Sequence, residues 1–227
     1  MNRYIEVKNL NKYYFNQKKV IVLKNLSYKF KAGKTYSIVG PSGSGKSTLL
    51  NILSLIDRPS KGNLVVNTNK INFDNTNEND KFRSNNYGII YQEKNLLNDF
   101  TAEENIILAG IANGKSNKES IKLTQKILKK LNLLNRSEHF PSQLSGGENQ
   151  RIAIGRALIN SPDIIIADEP SGNLDQKNAK EFYKLFFHLK SKNKIIIYAT
   201  HNRDFANLAD CRLQLINGRL KSVNGRK

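Results

Sequence analysis

Several features are scarce or missing from this sequence of 227 residues. Its one cysteine, Cys211, excludes a disulfide within the chain, and we interpret the lone thiol as structural. The longest apolar runs, at residues 164–167 and 195–199, are much shorter than the roughly 20 residues that a membrane-spanning helix needs. The N-terminus has no apolar signal core, and no internal repeat or flexible linker is visible. We therefore expect one soluble α/β domain that stays in the cytosol.

Acidic residues are also few. The 37 lysines and arginines outnumber the 19 aspartates and glutamates, which gives a formal net charge of +18. Such a balance is often found in proteins that bind nucleic acid or anionic lipid. The lysines are scattered, however, and many lie among asparagines in loops, as at residues 113–118. No nucleic-acid-reading motif accompanies them, so we interpret the charge as compositional and expect no nucleic-acid partner.

Hydrophobic patterning predicts a β-rich start, with strands at residues 4–7, 20–23 and 26–30. A short apolar strand at 35–39 then runs into a glycine-rich turn and a helix. This order of strand, glycine loop and helix is the context that a phosphate-binding loop requires.

The middle of the chain, residues 93–144, favours helices at 102–112 and 120–134, and we predict an inserted helical subdomain there. Residues 1–92 together with 145–227 are predicted to form the core. The core returns to α/β alternation, which implies a mainly parallel sheet with helices on both faces. The predicted core elements after the insertion are a helix from 146, a strand at 163–167, a helix at 178–190 and strands at 194–199, 211–216 and 220–223.

The glycine-rich turn matches the full phosphate-loop pattern, glycine, four residues, then Gly-Lys-Ser. Only glycine lets a backbone fold so closely that its N–H groups surround a triphosphate, and the following helix presents its positive end to the anion. Lys46 is expected to reach the β- and γ-phosphates and the Ser47 hydroxyl to ligate Mg²⁺. A chance glycine turn is the alternative. The loop consists of Gly40, Pro41, Ser42, Gly43, Ser44, Gly45, Lys46 and Ser47.

Two carboxylates, Asp168 and Glu169, follow the apolar strand at 163–167. Phosphoryl transfer needs a metal that neutralises charge and a group that orients the attacking water. We expect Asp168 to hold Mg²⁺ and Glu169 to orient the water. Taken alone, the segment also fits an acidic helix cap after a strand.

A second glycine pair opens another helix, in the run Leu144-Ser145-Gly146-Gly147-Glu148. Ser145 and Glu148 predict a capping box, which is the structural alternative. That alternative leaves the adjacent glycines unexplained, because glycine weakens a first helical turn. We infer a helix end that approaches another body and makes a second contact to a phosphate.

Taken together, these motifs resemble those of the ATP-binding cassettes of ABC transporters along essentially the whole chain. Residues 40–47 and 164–169 resemble Walker A and Walker B, and 144–148 resemble the signature motif. Gln92 matches the Q-loop, residues 171–175 the D-loop and His201 the switch histidine. Tyr14 lies where the family keeps an adenine-stacking aromatic, with Tyr13 as the alternative. The resemblance implies a P-loop NTPase core with an N-terminal antiparallel β-subdomain.

The resemblance also implies a mechanism, in which two copies face head to tail and sandwich ATP between one phosphate loop and the partner's signature helix. It assigns catalysis to Glu169, His201 and Lys46, and Mg²⁺ binding to Ser47, Gln92 and Asp168. The residues that it assigns to nucleotide binding are Tyr14, Gly40, Pro41, Ser42, Gly43, Ser44, Gly45, Lys46, Ser47, Thr48, Gln92, Ser145, Gly146 and Gly147.

Within the family, the chain is similar to small exporter-type ATPases that serve lipoprotein release, macrolide export and cell division. The segments 95–105, 169–175 and 199–202 with 215–220 favour the lipoprotein-releasing members. That reading implies two permease subunits in an inner membrane, lipoprotein cargo, and a peripheral place on the cytoplasmic face. The alternative functions are those of a cell-division or macrolide-export ATPase, or of a soluble ATPase that acts on ribosomes or DNA.

Overall fold

The computed structural model describes residues 3–172 and 174–223. The chain divides into two compact units. The first consists of Met1–Arg83, Ile166–Glu169 and Lys190–Lys227, and the second of Ser84–Ile165 and Pro170–Leu189. The predicted bounds of the core and of the inserted helical subdomain stay a prediction.

An antiparallel sheet in the first unit contains β1 (Tyr4–Asn16), β2 (Lys18–Lys31), β4 (Lys61–Val66) and β5 (Asn69–Lys70). Its strand order is β2-β1-β4-β5. Strands β1 and β2 form a long hairpin in which Tyr4 pairs with Lys31 and Asn16 with Lys18. The two strands predicted at 20–23 and 26–30 are therefore parts of the single strand β2. This strand continues past shifts in its pairing register with β1 and past Asn25, whose backbone is left-handed with φ of 45°. The predicted antiparallel β-subdomain is confirmed.

Five strands of a second sheet follow one another in the order β10-β9-β3-β8-β7. Strand β3 (Lys34–Val39) pairs in parallel with both β8 (Ile195–Ala199) and β9 (Cys211–Ile216), as predicted for the core. The strand β10 (Arg219–Val223) is antiparallel to β9, and β7 is Ile164–Asp168. Every residue of β8 is buried, which explains its continuous apolar run. The first unit contains the helices α1 (Lys46–Leu53) and α7 (Arg203–Asn207) and most of α2 (Thr76–Asn86).

The second unit contains β6 (Tyr87–Ile90) and the helices α3 (Ala102–Ala112), α4 (Asn117–Lys130), α5 (Gly146–Leu158) and α6 (Gln176–His188). Helices α3, α4 and α5 pack on one another. The predicted helix at 120–134 begins earlier and ends earlier, as α4, and Leu134 opens a separate 3-10 turn, Leu134–Arg136. Among the described residues, no helix combines the length and the apolar character that crossing a bilayer requires.

A single buried amide organises the loop before α3. The Asn105 side chain accepts from the Leu97 N–H at 2.8 Å, and its Nδ2 donates to the carbonyls of Leu97, Phe100 and Thr101 at 2.9–3.0 Å. Asn105 is only 1 % exposed, so water does not compete for its amide. The amide therefore serves as a fixed hydrogen-bond partner for the backbone of residues 97–101.

Asp210 ties the start of β3 to the chain that precedes β9. Its Oδ2 accepts from the Thr35 N–H and hydroxyl at 2.7 and 2.9 Å, and its Oδ1 accepts from Lys190 at 2.6 Å. Burial alone would raise the pKa of Asp210, but Lys190 and Thr35 outweigh it and lower this pKa below the ordinary value of 3.8. Because folding lowers the pKa of Asp210, the hydrogen bonds to its carboxylate stabilise the fold fully at pH values above 3.8. This stabilisation is lost as the pH falls through the pKa of Asp210 in the folded protein.

We expect Asp210→Asn to lower the free energy of unfolding at pH 7 by about 1–2 kcal/mol, because charge-assisted hydrogen bonds are lost at a partly screened site. The difference from the wild type should shrink as the pH falls below 3.8. Urea unfolding at several pH values measures both effects. Asp99→Asn, at an exposed carboxylate, is the control and should stay within about 0.5 kcal/mol. A loss that did not vary with pH would contradict this account.

Candidate functional site

The glycine-rich loop leaves β3 after Val39 and enters α1 at Lys46. The Lys46 ammonium folds back over the loop and donates to the carbonyls of Gly40 at 2.9 Å and Pro41 at 3.1 Å. Gly45, just before the helix, has φ of 97°, and no side chain caps the first turn of α1. This turn also contains no acidic residue, so the positive end of the helix is left for an anion.

Two glycines of the loop carry separate constraints that a stability measurement can distinguish. A Cβ at Gly45 would lie 2.8 Å from the Val22 side chain, and the backbone there is also left-handed. Gly43 has φ of 74° but nothing within 4 Å of an added Cβ.

We expect Gly45→Ala to lower the free energy of unfolding by about 2–4 kcal/mol, since backbone strain and overpacking add. Gly43→Ala, which carries the strain alone, should lower it by about 1–2 kcal/mol. Urea unfolding of the two variants in parallel tests this order. Equal losses would mean that the contact with Val22 relaxes without penalty.

The Asp168 carboxylate, at the end of β7, lies half-buried beside the loop. Ser47 hydrogen-bonds to it, while its Oδ1 is buried without a hydrogen-bond partner in the described part of the chain. Burial raises the pKa of Asp168 and the Glu169 charge adds to this effect, against opposing contributions from Ser47 and Lys46. An unpaired carboxylate oxygen next to a hydroxyl is the donor set that a hard divalent cation prefers. Ser47 and Asp168 therefore fit the predicted Mg²⁺ site.

Glu169 and His201 contact each other directly. The Glu169 Oε2 accepts from the His201 backbone N–H at 3.1 Å and lies 2.9 Å from the ring Nδ1. Glu169 has a left-handed backbone, with φ of 43°, and its own N–H donates to the Ala199 carbonyl at 3.0 Å. Strained backbone of this kind is often found at functional sites. The histidine ring stays exposed, with 69 % of its side chain accessible.

Tyr14 is exposed on β1, but its hydroxyl is fixed. It donates to the Asp57 Oδ2 at 3.0 Å, and Asp57 in turn accepts from Lys12 at 2.7 Å. Lys12 and Asp57 belong to none of the motifs in the sequence and were not predicted. The available signal was the i, i+2 spacing of Lys12 and Tyr14, which places both on one face of a strand.

The second unit carries the remaining predicted site residues. Ser145 caps α5 in a reciprocal box with Glu148, at 3.3 and 2.8 Å, as the structural alternative predicted. Gly147 is buried, and a Cβ there would lie 2.9 Å from the Asn178 Oδ1, so this glycine has a packing reason within the chain. Ser145 and Gly146 are exposed at the tip of the helix. Their predicted contact with a partner's nucleotide stays a prediction.

Gln92 is exposed in the chain that follows β6. Its predicted roles in metal and nucleotide binding stay predictions. The predicted D-loop includes Asn173, which lies outside the described residues. Of its neighbours, Ser171 is buried with its hydroxyl 3.4 Å from that of Tyr183, and Asp175 caps α6.

The first unit thus holds the loop, both carboxylates, the histidine and the tyrosine. Its predicted site residues are Tyr14, Gly40, Pro41, Ser42, Gly43, Ser44, Gly45, Lys46, Ser47, Thr48, Asp168, Glu169 and His201.

Comparison with known sequences gives consistent matches. Residues 23–172 match the protein family described as "ABC transporter". The chain is 42 % identical over 221 residues to the lipoprotein-releasing system ATP-binding protein LolD of Rickettsia bellii, covering 96 % of this chain and 98 % of that protein. It is 44 % identical over 200 residues to the LolD of Cytophaga hutchinsonii, covering 88 % and 91 %.

Solved structures give the same picture. The chain is similar to the ATP-binding cassette MJ0796 in a dimeric, post-hydrolysis state bound to ADP and Pi, with a TM-score of 0.90 and 35 % identity, covering 98 % of this chain and 99 % of that one. A second dimeric structure of MJ0796, described as a bacterial ABC transporter cassette, has the same TM-score and coverage at 36 % identity.

Proposed function

The chain belongs to the ABC transporter family, and from this premise we propose that it binds and hydrolyses ATP to power the release of lipoproteins from an inner membrane. The observation that carries the choice of cargo is the full-length similarity to LolD proteins, at 40–42 % identity over 96–98 % of this chain in five relatives. In reaction terms, the protein is an ABC-type translocase subunit.

The chemistry proposed for the first unit follows from the position of its charged groups. Lys46 supplies a cation directly above the loop that receives the triphosphate, and the uncapped first turn of α1 supplies backbone N–H donors. Glu169 orients the attacking water and accepts its proton as the water oxygen bonds to the γ-phosphorus, while the bond from the γ-phosphorus to the bridging oxygen breaks and ADP leaves. His201, whose ring lies 2.9 Å from that carboxylate, hydrogen-bonds the γ-phosphate and steadies the water.

Magnesium is the proposed ion of this site, and when bound it neutralises charge on the phosphate oxygens. Ser47 and Asp168 are the residues that hold it, because their oxygens lie together and the Asp168 Oδ1 lacks a partner among the described residues. Gln92 is proposed as a further ligand on the resemblance alone.

The working assembly is proposed to be a dimer of this chain with two permease subunits, attached peripherally to the cytoplasmic face of the inner membrane. Support comes from MJ0796, whose cassette is dimeric, and from the exposed helix tip at Ser145 and Gly146. In such a dimer, the tip of one protomer reaches the nucleotide held by its partner.

Co-purification tests the proposed partners and cargo. The tagged protein is expressed in its native host and isolated in mild detergent, and the membrane proteins that accompany it are identified. We expect two permease subunits, and we expect the complex in proteoliposomes to release a lipoprotein on addition of ATP. A Lys46→Ala complex is the control for ATP dependence. Co-purification of a division-site protein without cargo release, or stimulation of the ATPase by RNA or DNA, would contradict the proposal.

A further inference from the structure

The side chains around Tyr14 hold an exposed aromatic ring in one place. Tyr14 is 44 % exposed, and an exposed tyrosine ordinarily samples several rotamers. Here its hydroxyl donates to the Asp57 Oδ2 at 3.0 Å and also hydrogen-bonds with the Thr48 side chain. The edge of the ring is therefore fixed, while much of its surface stays open.

Lys12 supports the same carboxylate from the other side. Its ammonium donates to the Asp57 Oδ1 at 2.7 Å and to the Arg58 carbonyl at 2.8 Å, and the residue is only 7 % exposed. Burying a lysine is unfavourable unless its charge is paired and hydrogen-bonded, as it is here. The ammonium also lies 4.7 Å from the centre of the Tyr14 ring. One side of the ring thus has a cation beside it, which leaves the exposed surface for another planar group.

The direction of the ring follows from the strand. Tyr13 contacts Phe15, with ring centres 5.6 Å apart, and Lys19 lies 4.2 Å from the Tyr13 ring. Successive side chains of a strand point to opposite faces. Tyr14 therefore points to the side of Lys12 and Asp57, and Tyr13 to the side of Phe15 and Lys19.

Asp57 connects this arrangement to the phosphate loop. It follows helix α1, and its backbone N–H donates to the Asn51 carbonyl of that helix at 3.1 Å. Thr48, the other partner of Tyr14, lies in the first turn of the same helix. The tyrosine ring is therefore fixed relative to the helix that begins directly after the loop.

We propose that Lys12 and Asp57 are positioning residues that hold the Tyr14 ring at the height and angle at which it stacks on the base of the nucleotide whose phosphates lie in the loop. The proposal rests on ATP binding at this loop and adds the device that aligns the base with the phosphates. Lys12 and Asp57 act through Tyr14, whose hydroxyl and ring have separate duties: the hydroxyl anchors and the ring stacks.

Lys12, Asp57 and Tyr14 together form what we call the clamp, and the charge state of Asp57 agrees with this role. Burial alone would raise the pKa of Asp57, but hydrogen bonds from Lys12, the Arg58 N–H and the Tyr14 hydroxyl outweigh burial and lower this pKa. Asp57 is therefore an anion at neutral pH, where it accepts hydrogen bonds from Lys12 and Tyr14 together.

Titration calorimetry with two probes tests the proposal, using the full chain with Mg²⁺. ATP has phosphates and a base, while inorganic tripolyphosphate has the phosphates alone. Loss of a base stack weakens binding by about tenfold or more, so Tyr14→Ala sets the upper limit. We expect Tyr14→Phe, Lys12→Met and Asp57→Asn to raise the Kd for ATP by about three- to tenfold, because the ring is retained but no longer aligned. None of them should change the Kd for tripolyphosphate more than twofold.

Lys8→Met is the matched control, since Lys8 pairs with Glu6 at 3.4 Å on the same strand but has an exposed side chain. The double variant Lys12→Met with Tyr14→Phe should have a Kd for ATP no higher than that of whichever single variant binds ATP more weakly. The reason is that both changes break the same hydrogen-bond network around Asp57. ATP binding at wild-type affinity by Tyr14→Phe and Lys12→Met would overturn the clamp. Equal loss of both probes would also overturn it, since the loop itself would then be damaged. Absence of ATP binding by the wild type would overturn the proposed function and the clamp with it.

Discussion

Replacement of Glu169 by Gln is expected to lower ATP turnover by about 10²–10⁴-fold while leaving ATP affinity within about twofold of the wild type. The amide is nearly the same size as the carboxylate and can still accept from the His201 N–H, which is 3.1 Å from Glu169 Oε2 in the wild type. The local structure is therefore retained, and only the negative charge and basicity that act on water are lost. Phosphate release under saturating ATP measures the first effect and titration calorimetry the second.

The same variant should accumulate as an ATP-bound dimer, because we propose that hydrolysis is the step that separates the protomers. Gel filtration with and without ATP detects the change in size. Glu181→Gln is the control, because Glu181 is an exposed carboxylate that pairs with Arg151 at 3.5 Å and has no proposed role in the chemistry. A Glu169→Gln protein that stayed monomeric at saturating ATP, or that hydrolysed at the wild-type rate, would count against the proposed function.

A substitution at the tip of α5, Ser145→Arg, should abolish hydrolysis and leave nucleotide binding to the monomer within about twofold of the wild type. The reason is steric and electrostatic, since the exposed tip is proposed to meet the nucleotide of the partner protomer. Steady-state hydrolysis and binding to dilute protein separate the two quantities. The substitution also removes a helix cap, which is worth about 1 kcal/mol.

Ser116→Arg is the control for that lost cap. Ser116 caps α4 through the same kind of bond, accepting from the Glu119 N–H at 3.2 Å, whereas Ser145 accepts from the Glu148 N–H at 3.3 Å. It should therefore lower stability by a similar amount and leave hydrolysis near the wild-type rate. If Ser145→Arg instead removed nucleotide binding from the monomer, the helix tip would serve its own protomer and the proposed head-to-tail arrangement would be wrong.

The parts of the fold that were predictable have strong local signals. The apolar runs of β7 and β8 are buried almost throughout, and the glycine loop has a pattern that few other structures share. Helix α2 was missed because it buries only Asn79 and has no apolar stripe. Strand β5 was missed because it has two residues, both exposed.

The candidate site shows a similar division. Lys46, Asp168 and Glu169 were predictable from residue type and spacing, since Lys46 begins the helix after the glycine loop and the two carboxylates stand at the end of an apolar strand. The Lys12–Asp57 pair joins residues 45 positions apart, and no local pattern reports such a pair. For Gly147 the sequence pattern predicted a contact with another molecule. The close packing against Asn178 within the same chain already explains why glycine is needed there.

The amide of Asn105 has a consequence for how freely this protein can diverge. Its single side chain accepts from one N–H, and its two amide hydrogens are shared among three carbonyls of the loop at residues 97–101. Aspartate would bring a charge to three oxygens, and glutamine would place the amide one carbon too far. Leucine would remove the partners of the Leu97 N–H and the Phe100 carbonyl, whereas the Leu97 and Thr101 carbonyls would keep the backbone N–H groups of Phe100 and Asn105. The side chains at residues 97–100 can change more freely, because the loop conformation is specified by a neighbour. The constraint on sequence therefore falls on position 105 and on Thr101, which caps α3.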